Sequence, residues 1–202
     1  MAQTKADMRI WTNAARTFDA LTLAQAKLHL RVDNNDDDTL ITSIVSAATD
    51  YVERRSNRSL CARVWNAEAD RFPTAGREMV IAKSPFVSVQ TLSYVTTNAA
   101  TITLVQDTDY RVVVANDIGR IRLPLGATQW AVTADVPDAV RVTFTAGYVT
   151  QATIPQGLVQ AVRLMLGHLY ENREAVSENA GSEVELAVGS LCSAYWMGDV
   201  FS

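Results

Sequence analysis

Histidine and cysteine are scarce in this 202-residue sequence, with two of each. Cys61 and Cys192 stand too far apart to define a disulfide framework or a metal site by spacing, and they read as two buried thiols in a reducing compartment. Neither His29 nor His168 has a nucleophile or a second ligand at an informative distance along the chain. The sequence has no G-x-x-x-x-G-K-[ST] loop to cradle phosphates and no G-x-G-x-x-G after a strand. It also lacks H-E-x-x-H, C-x-x-C and a G-x-S-x-G nucleophile elbow. These absences leave no catalytic residue, no metal ligand set and no cofactor to name. No apolar run approaches the ~18 residues of a membrane span, and MAQTKADMRIWTNAARTF lacks the apolar core of a signal peptide. The expectation is a protein made in the cytosol with no membrane partner. Basic residues are outnumbered 18 to 22, a net charge of −4, so no global cationic surface exists to hold nucleic acid.

What is present is ordinary for a soluble globular chain: 48% hydrophobic and 20% charged residues, enough for one or two domains with a real core. The stretch that organises the rest is Ile154 to Val176, the longest strongly helical run. Pro155 suits a first turn, where a missing N–H costs nothing. Leu158, Val162, Met165 and Leu169 stack on one face, and Val159, Leu166 and Tyr170 widen it. Ala161 and Leu164 flank His168, so the polar strip is narrow: Gln160, Arg163, Gly167, Glu171 and Glu174. A helix this apolar is buried on more than one side. Two readings follow and pattern alone does not choose: a central core helix, or a helix that packs on its own core and on another subunit. Gly167, at a cost of about 1 kcal/mol in mid-helix relative to Ala, predicts close approach by a neighbouring element.

Residues 1–21 carry no clear period and read as an N-terminal arm, with Trp11 and Phe18 as anchors. Thr22 to Gln25 form a capping box, and a short helix follows to about Arg31, burying Leu23, Ala26 and Leu28 or Leu30. In the acidic run Asp33 to Asp38, Asp33, Asn35 and Asp37 alternate as in an EF-hand loop, but Asp38 replaces the required Gly and Ile44 the required Glu. The run reads instead as carboxylates gathered at a helix start, where the macrodipole favours them. That second helix, about Asp38 to Arg55, puts Leu40, Ile41, Ile44, Ala48, Tyr51 and Val52 on one face. Thr42, Ser46, Thr49 and Glu53 line the other. Arg54, Arg55 and Arg58 gather at its carbonyl-rich end, a capping role that outweighs DNA-phosphate binding.

From Arg63 to Thr145 the composition turns to Val, Ile and Thr in short runs broken by turn residues. Strands are predicted near 63–69, 79–82, 88–94, 101–105, 110–114, 120–123 and 140–145. Ala115 to Gly119 makes a hairpin loop, with Gly119 free to take positive φ. The spacing predicts an antiparallel sandwich or small barrel, not βαβ units. After a polar loop at 177–182, Glu183 to Ala194 predicts a last helix with Val184, Val188 and Leu191 on one face. The fold class is therefore α+β, with an antiparallel β module at 61–149 inserted between helical segments at 22–60 and 150–194. The tail, residues 195–202, is apolar.

Three segments, in order, resemble the phage head–tail connector (adaptor) family. Thr22 to Val32 followed by an acidic run and an Ile/Val/Ala helix is similar to the family's opening. Phe144-Thr145-Ala146-Gly147-Tyr148 resembles the strand end before its long helix, and Pro155 through Ala175 resembles that helix and its exit. The resemblance spans Thr22 to Ala194, and the β module places the chain with the longer members. It implies a non-catalytic homo-oligomeric ring, typically of twelve subunits, beneath the portal at the capsid vertex. The ring would extend the channel for genome DNA and offer a platform for the tail or stopper protein. The site would be the virion neck, after assembly in the host cytoplasm. Subunit contacts would fall on Arg163, Leu164, Gly167, His168, Glu171, Arg173 and Glu174, a strip of both charge signs suited to head-to-tail pairing. The apolar tail residues Tyr195, Trp196, Met197, Val200 and Phe201 would bind the portal, because the family commonly sends its C-terminal segment there.

Two other classes remain open. A β-domain module for nucleic acid or a ligand would need a basic, aromatic-lined stripe, whereas Tyr94, Tyr110 and Trp130 are scattered along the chain. A small hydrolase would use His168 with Glu171, one turn on, as base and orienter. A histidine beside an apolar helix face is more often a hydrogen-bonded core or interface residue.

Overall fold

The computed structural model describes residues 8–74, 78–172 and 180–196. They form two compact units, one helical (16–62 and 148 onward) and one β (up to Ala15, then Arg63–Gly147).

The helical unit contains α1 (Leu23–Leu30), α2 (Asp38–Ser56), α3 (Gln156–Glu171) and α4 (Ala180–Ser193). The capping box forms as predicted: the Gln25 N–H donates to Thr22 Oγ1 at 3.2 Å and the Thr22 N–H to Gln25 Oε1 at 2.9 Å. Ala26 is buried, Leu23 and Leu30 pack on the core, and Leu28 is left outside at 82% exposure. Helix α3 is the hub, in contact with α1, α2 and α4. Its Leu158, Val159, Ala161, Val162, Met165 and Leu166 are all buried against those helices. The apolar surplus of this helix is thus taken up largely within its own unit.

Helix α3 starts one residue after Pro155, which is its N-cap. Among the described residues it runs to Glu171, and Asn172 leaves the helical conformation with φ −108° and ψ 66°. The Asn172 backbone N–H and side-chain Nδ2 both donate to the His168 carbonyl at 3.0 Å. Helix α4 begins at Ala180, three residues earlier than expected, and buries Val188 with Val184 and Leu191 packed beside it.

Helix α2 departs from its predicted amphipathic pattern. Thr42 is exposed as expected, yet Thr49 and Glu53 are buried, because neighbouring helices flank α2 on more than one side. Thr49 Oγ1 donates back to the Val45 carbonyl at 2.7 Å. The Glu53 carboxylate accepts the Leu60 N–H at 2.6 Å and so caps the turn that leaves the helix. Cys61 and Cys192 are buried thiols, and burial pushes the Cys192 thiol up from its ordinary value.

The β unit has eight strands: β1 (Arg9–Trp11), β2 (Arg63–Ala69), β3 (Met79–Ile81), β4 (Phe86–Val95), β5 (Thr101–Leu104), β6 (Arg111–Ala115), β7 (Ile118–Arg122) and β8 (Val140–Ala146). They make two antiparallel sheets, β1-β2-β8-β4-β5 and β3-β7-β6. Strand alternation sets the core: Trp65, Ala67 and Ala69 pair with Phe144, Val142 and Val140, all on the inner face. Met79, Ile81 and Ile121 of the second sheet pack into the same core, which makes a sandwich without barrel closure among the described residues. The unpatterned N-terminus contributes β1, an edge strand whose Ile10 packs on this core.

Gly119 serves a different purpose from the one predicted. The hairpin turn takes its positive φ at Asn116 (52°) and Asp117 (63°), the two central residues that a type I′ turn requires. Gly119 itself lies in β7, and a Cβ there would overlap the Phe86 ring. Gly119→Ala is therefore expected to destabilise the β unit by about 1–3 kcal/mol, as overpacking does. Urea unfolding followed by tryptophan fluorescence measures it, and an unchanged midpoint would show that Phe86 moves aside without cost.

Candidate interaction surfaces

The polar strip of α3 and the end of α4 hold the sequence-predicted contact residues. Arg163, Leu164, Gly167 and His168 are half-buried, Glu171 is exposed, and Arg173 and Glu174 lie outside the described residues. The His168–Glu171 pairing is not formed. His168 Nδ1 lies 3.2 Å from Asn172 Nδ2, which donates to it, so the ring is oriented by an amide and not by a carboxylate. That is a helix-end arrangement.

Gly167 admits no close backbone within its own unit. A Cβ built there meets only His29 Nε2, at 3.8 Å, an ordinary van der Waals distance. Close approach by another element of the chain, expected from the sequence, is therefore absent among the described residues. Gly167→Ala is expected to stabilise the isolated subunit by about 0.5–1 kcal/mol through helix propensity alone. Chemical denaturation of the monomer checks this, and a loss of stability would mean a contact that the open space beside α3 does not show.

At the other end of the helical unit Tyr195 is held against the helices. The Tyr195 ring lies over Gly157, where a Cβ would come within 2.8 Å of it. Arg58, buried at the end of α2, donates from Nε to the Tyr195 carbonyl at 2.8 Å and from Nη1 to the Tyr148 hydroxyl at 3.2 Å. Its guanidinium is thus built into the subunit and does not face a phosphate. Trp196 follows at 48% exposure. Met197, Val200 and Phe201 lie outside the described residues.

The acidic run is a helix start, and two of its carboxylates also join helices. Lys27 of α1 reaches Asp38 Oδ1 and Asn35 Oδ1, both at 2.7 Å, and the Tyr170 hydroxyl of α3 donates to Asp37 Oδ2 at 2.6 Å. Asp33 and Asp36 remain exposed. No cluster of three or more His, Cys, Asp or Glu suited to a metal occurs among the described residues.

The aromatic residues of the β unit are not a stacking platform for bases. Trp130 stacks on Phe72 at 4.8 Å between centroids and Tyr94 meets the same ring edge-on at 5.5 Å, all three in the core. Tyr110 is buried as well. The sequence separation of these residues hid a cluster that only the fold assembles. Sequence reasoning also missed Glu53 and Arg58 as buried polar ties. An isolated Glu–Arg spacing gives no signal that a backbone N–H or carbonyl is waiting for it.

A shallow, half-open cleft of the helical unit lies among Phe18, Leu21, Leu23, Thr42 and Val45. It carries no charged group positioned for chemistry beyond the Asp19 rim. Residues 20–84 match the model of the phage gp6-like head-tail connector proteins. The matched segment holds α1, the acidic run, α2 and the first strands that follow, so the connector resemblance read from Thr22 to Val32 is borne out there.

Fold likeness to solved structures extends beyond that segment. The chain is similar to one in the neck of an empty GTA particle (C6 symmetry), with a TM-score of 0.75, 23% identity, and 96% and 97% of the two chains covered. It is similar to one in the virion of a native gene transfer agent (GTA) particle, with a TM-score of 0.71, 22% identity, and coverage of 95% and 98%. A chain in the neck of a native GTA particle (C12 symmetry) gives a TM-score of 0.64 at 20% identity, again covering 95% and 98%. Among curated protein sequences none matches.

Proposed function

We propose that this protein is a structural adaptor in the neck of a phage-like particle, acting as a homo-oligomeric ring beneath the portal. The observation that carries this reading is the fold shared end to end with a GTA neck chain, over 96% of this chain and 97% of that one. The connector match at residues 20–84 supports it independently. A ring of twelve subunits is compatible with neck structures of C6 and C12 symmetry. In this reading the tail or stopper protein binds the far side of the ring, and genome DNA passes through its channel. The net charge of −4 suits a conduit in which cationic contacts would hold the duplex and stall it. No step in this function is catalytic.

Within the ring, the α3 strip of Arg163, Leu164, Gly167, His168 and Glu171, continued by Arg173 and Glu174, meets a neighbouring subunit. The C-terminal segment meets the portal: Tyr195 anchors it to the helical unit, and Trp196, Met197, Val200 and Phe201 supply the apolar contact. Virion neck is the final location, after assembly in the host cytoplasm. Co-sedimentation with capsids tests the reading. The purified protein should pellet with capsids that carry the portal and stay in the supernatant with capsids that lack it. Equal binding to both, or to neither, would contradict the proposal.

A further inference from the structure

The outward faces of the two sheets differ in charge balance. On the five-stranded sheet, Arg9 and Arg141 are matched by two acids: Arg9 pairs with Asp138 and lies near Glu68, and Arg141 Nε is 3.4 Å from Glu68 Oε1. On the three-stranded sheet, Arg111, Arg120 and Arg122 share the outer face. Arg111 stands opposite Arg122, and Arg120 opposite Val113 and Val80. Their neighbours Val112 and Ile121 pack into the core, which fixes the direction of the arginines.

Among the described residues a single carboxylate serves this face. Glu78 pairs with Arg120 and accepts from Arg122 Nε at 2.7 Å. Burial opposes its charge, but the two guanidiniums prevail and hold the carboxyl below its ordinary range. Arg111 has no such partner among the described residues, and its Nε is buried without a hydrogen bond there. Like charges directly across a sheet are destabilising, and an unsatisfied buried donor costs more again. A subunit that ended there would be better off with a neutral residue at position 111. The arrangement makes sense when something outside the subunit brings a carboxylate.

The same chain carries the complement. In the exposed 33–36 turn, Asp33 and Asp36 make no ion pair among the described residues, while the adjoining Asp37 and Asp38 are already engaged by Tyr170 and Lys27. We propose that the arginine face of β6 and β7 docks the acidic 33–36 turn of a second copy of this chain. Two different surfaces of one chain then meet, the heterologous contact that a closed ring requires. The inference rests on the ring reading and specifies its contact. Duplex DNA fits the face less well. Two of the three guanidiniums are committed to Glu78, no aromatic side chain lies on it, and phosphate binding needs several free cations.

The test is a charge swap, read as self-association by sedimentation velocity at low and high salt. Arg111→Glu and Asp36→Arg should each weaken association by about tenfold, an ordinary effect for one interfacial charge pair. The chain carrying both substitutions should recover to within about threefold of the wild type. Arg111→Glu relieves the opposition to Arg122, so its melting temperature should not fall, which separates lost association from misfolding. Wild-type association in both single variants overturns the contact while leaving the ring intact. Failure of the double variant to recover overturns the acidic turn as occupant. Loss of duplex DNA retention in Arg111→Glu with association unchanged would assign the face to phosphate instead. A wild type that stays monomeric at every concentration would remove the ring reading and this contact together.

Discussion

A chain that ends at Tyr195 should melt with the full-length subunit and lose retention on portal-bearing capsids by at least about tenfold. Tyr195 is tied to the helical unit: its ring covers Gly157 and its carbonyl accepts from Arg58 at 2.8 Å. Trp196 is already 48% exposed. The residues after it include Met197, Val200 and Phe201, and burying such side chains is worth about 1.5–3 kcal/mol each. In the proposed function these side chains are buried against the portal. Removing Tyr195 as well should cost the subunit about 1.5–3 kcal/mol, the value of a hydrogen bond to a charged group. Thermal melting and capsid co-sedimentation on the two truncations separate these roles. A large drop in melting temperature for the chain that ends at Tyr195 would place the tail in the subunit's own core. Undiminished capsid binding would take it out of the portal contact.

Replacing Glu53 by Ala should destabilise the helical unit by about 1–3 kcal/mol, the cost of leaving a buried donor unsatisfied. Glu53 is only 4% exposed, and its carboxylate accepts the Leu60 N–H at 2.6 Å, with Ser59 Oγ at 3.5 Å. Because the unit is of domain size, each kcal/mol should appear as a fall of about 4–8 °C in melting temperature. Glu53→Gln keeps an oxygen in place and should recover much of the loss. Differential scanning calorimetry on the two variants decides it. Equal effects from Ala and Gln would mean that the charge matters more than the hydrogen bond to Leu60.

These two residues mark where sequence reasoning ran out. The capping box at Thr22 and Gln25 was legible because both partners sit three residues apart and serve each other. The central strands were legible because they alternate, as in Val140, Val142, Phe144 and Ala146 of β8. Glu53 looked solvent-facing because helical position alone cannot reveal a backbone N–H brought in by the following turn. Gly119 looked like a turn residue, but the turn geometry fell to Asn116 and Asp117, and the glycine was needed where Phe86 crosses its strand. The apolar girth of α3 was read correctly as burial on several sides. Periodicity could not say that α1, α2 and α4 supply most of that cover. Of the contact strip, the residues from Arg163 to Glu171 are brought to one helix, yet which of them a neighbour touches depends on an arrangement between chains that no single chain encodes visibly.

Electron microscopy of the purified protein, alone at high concentration and with portal-bearing capsids, bears most directly on the central claim. Closed rings are expected in axial view, with a ring-shaped layer at the capsid vertex beneath the portal. Uniform monomers at every concentration, together with bare portals after incubation, would contradict it.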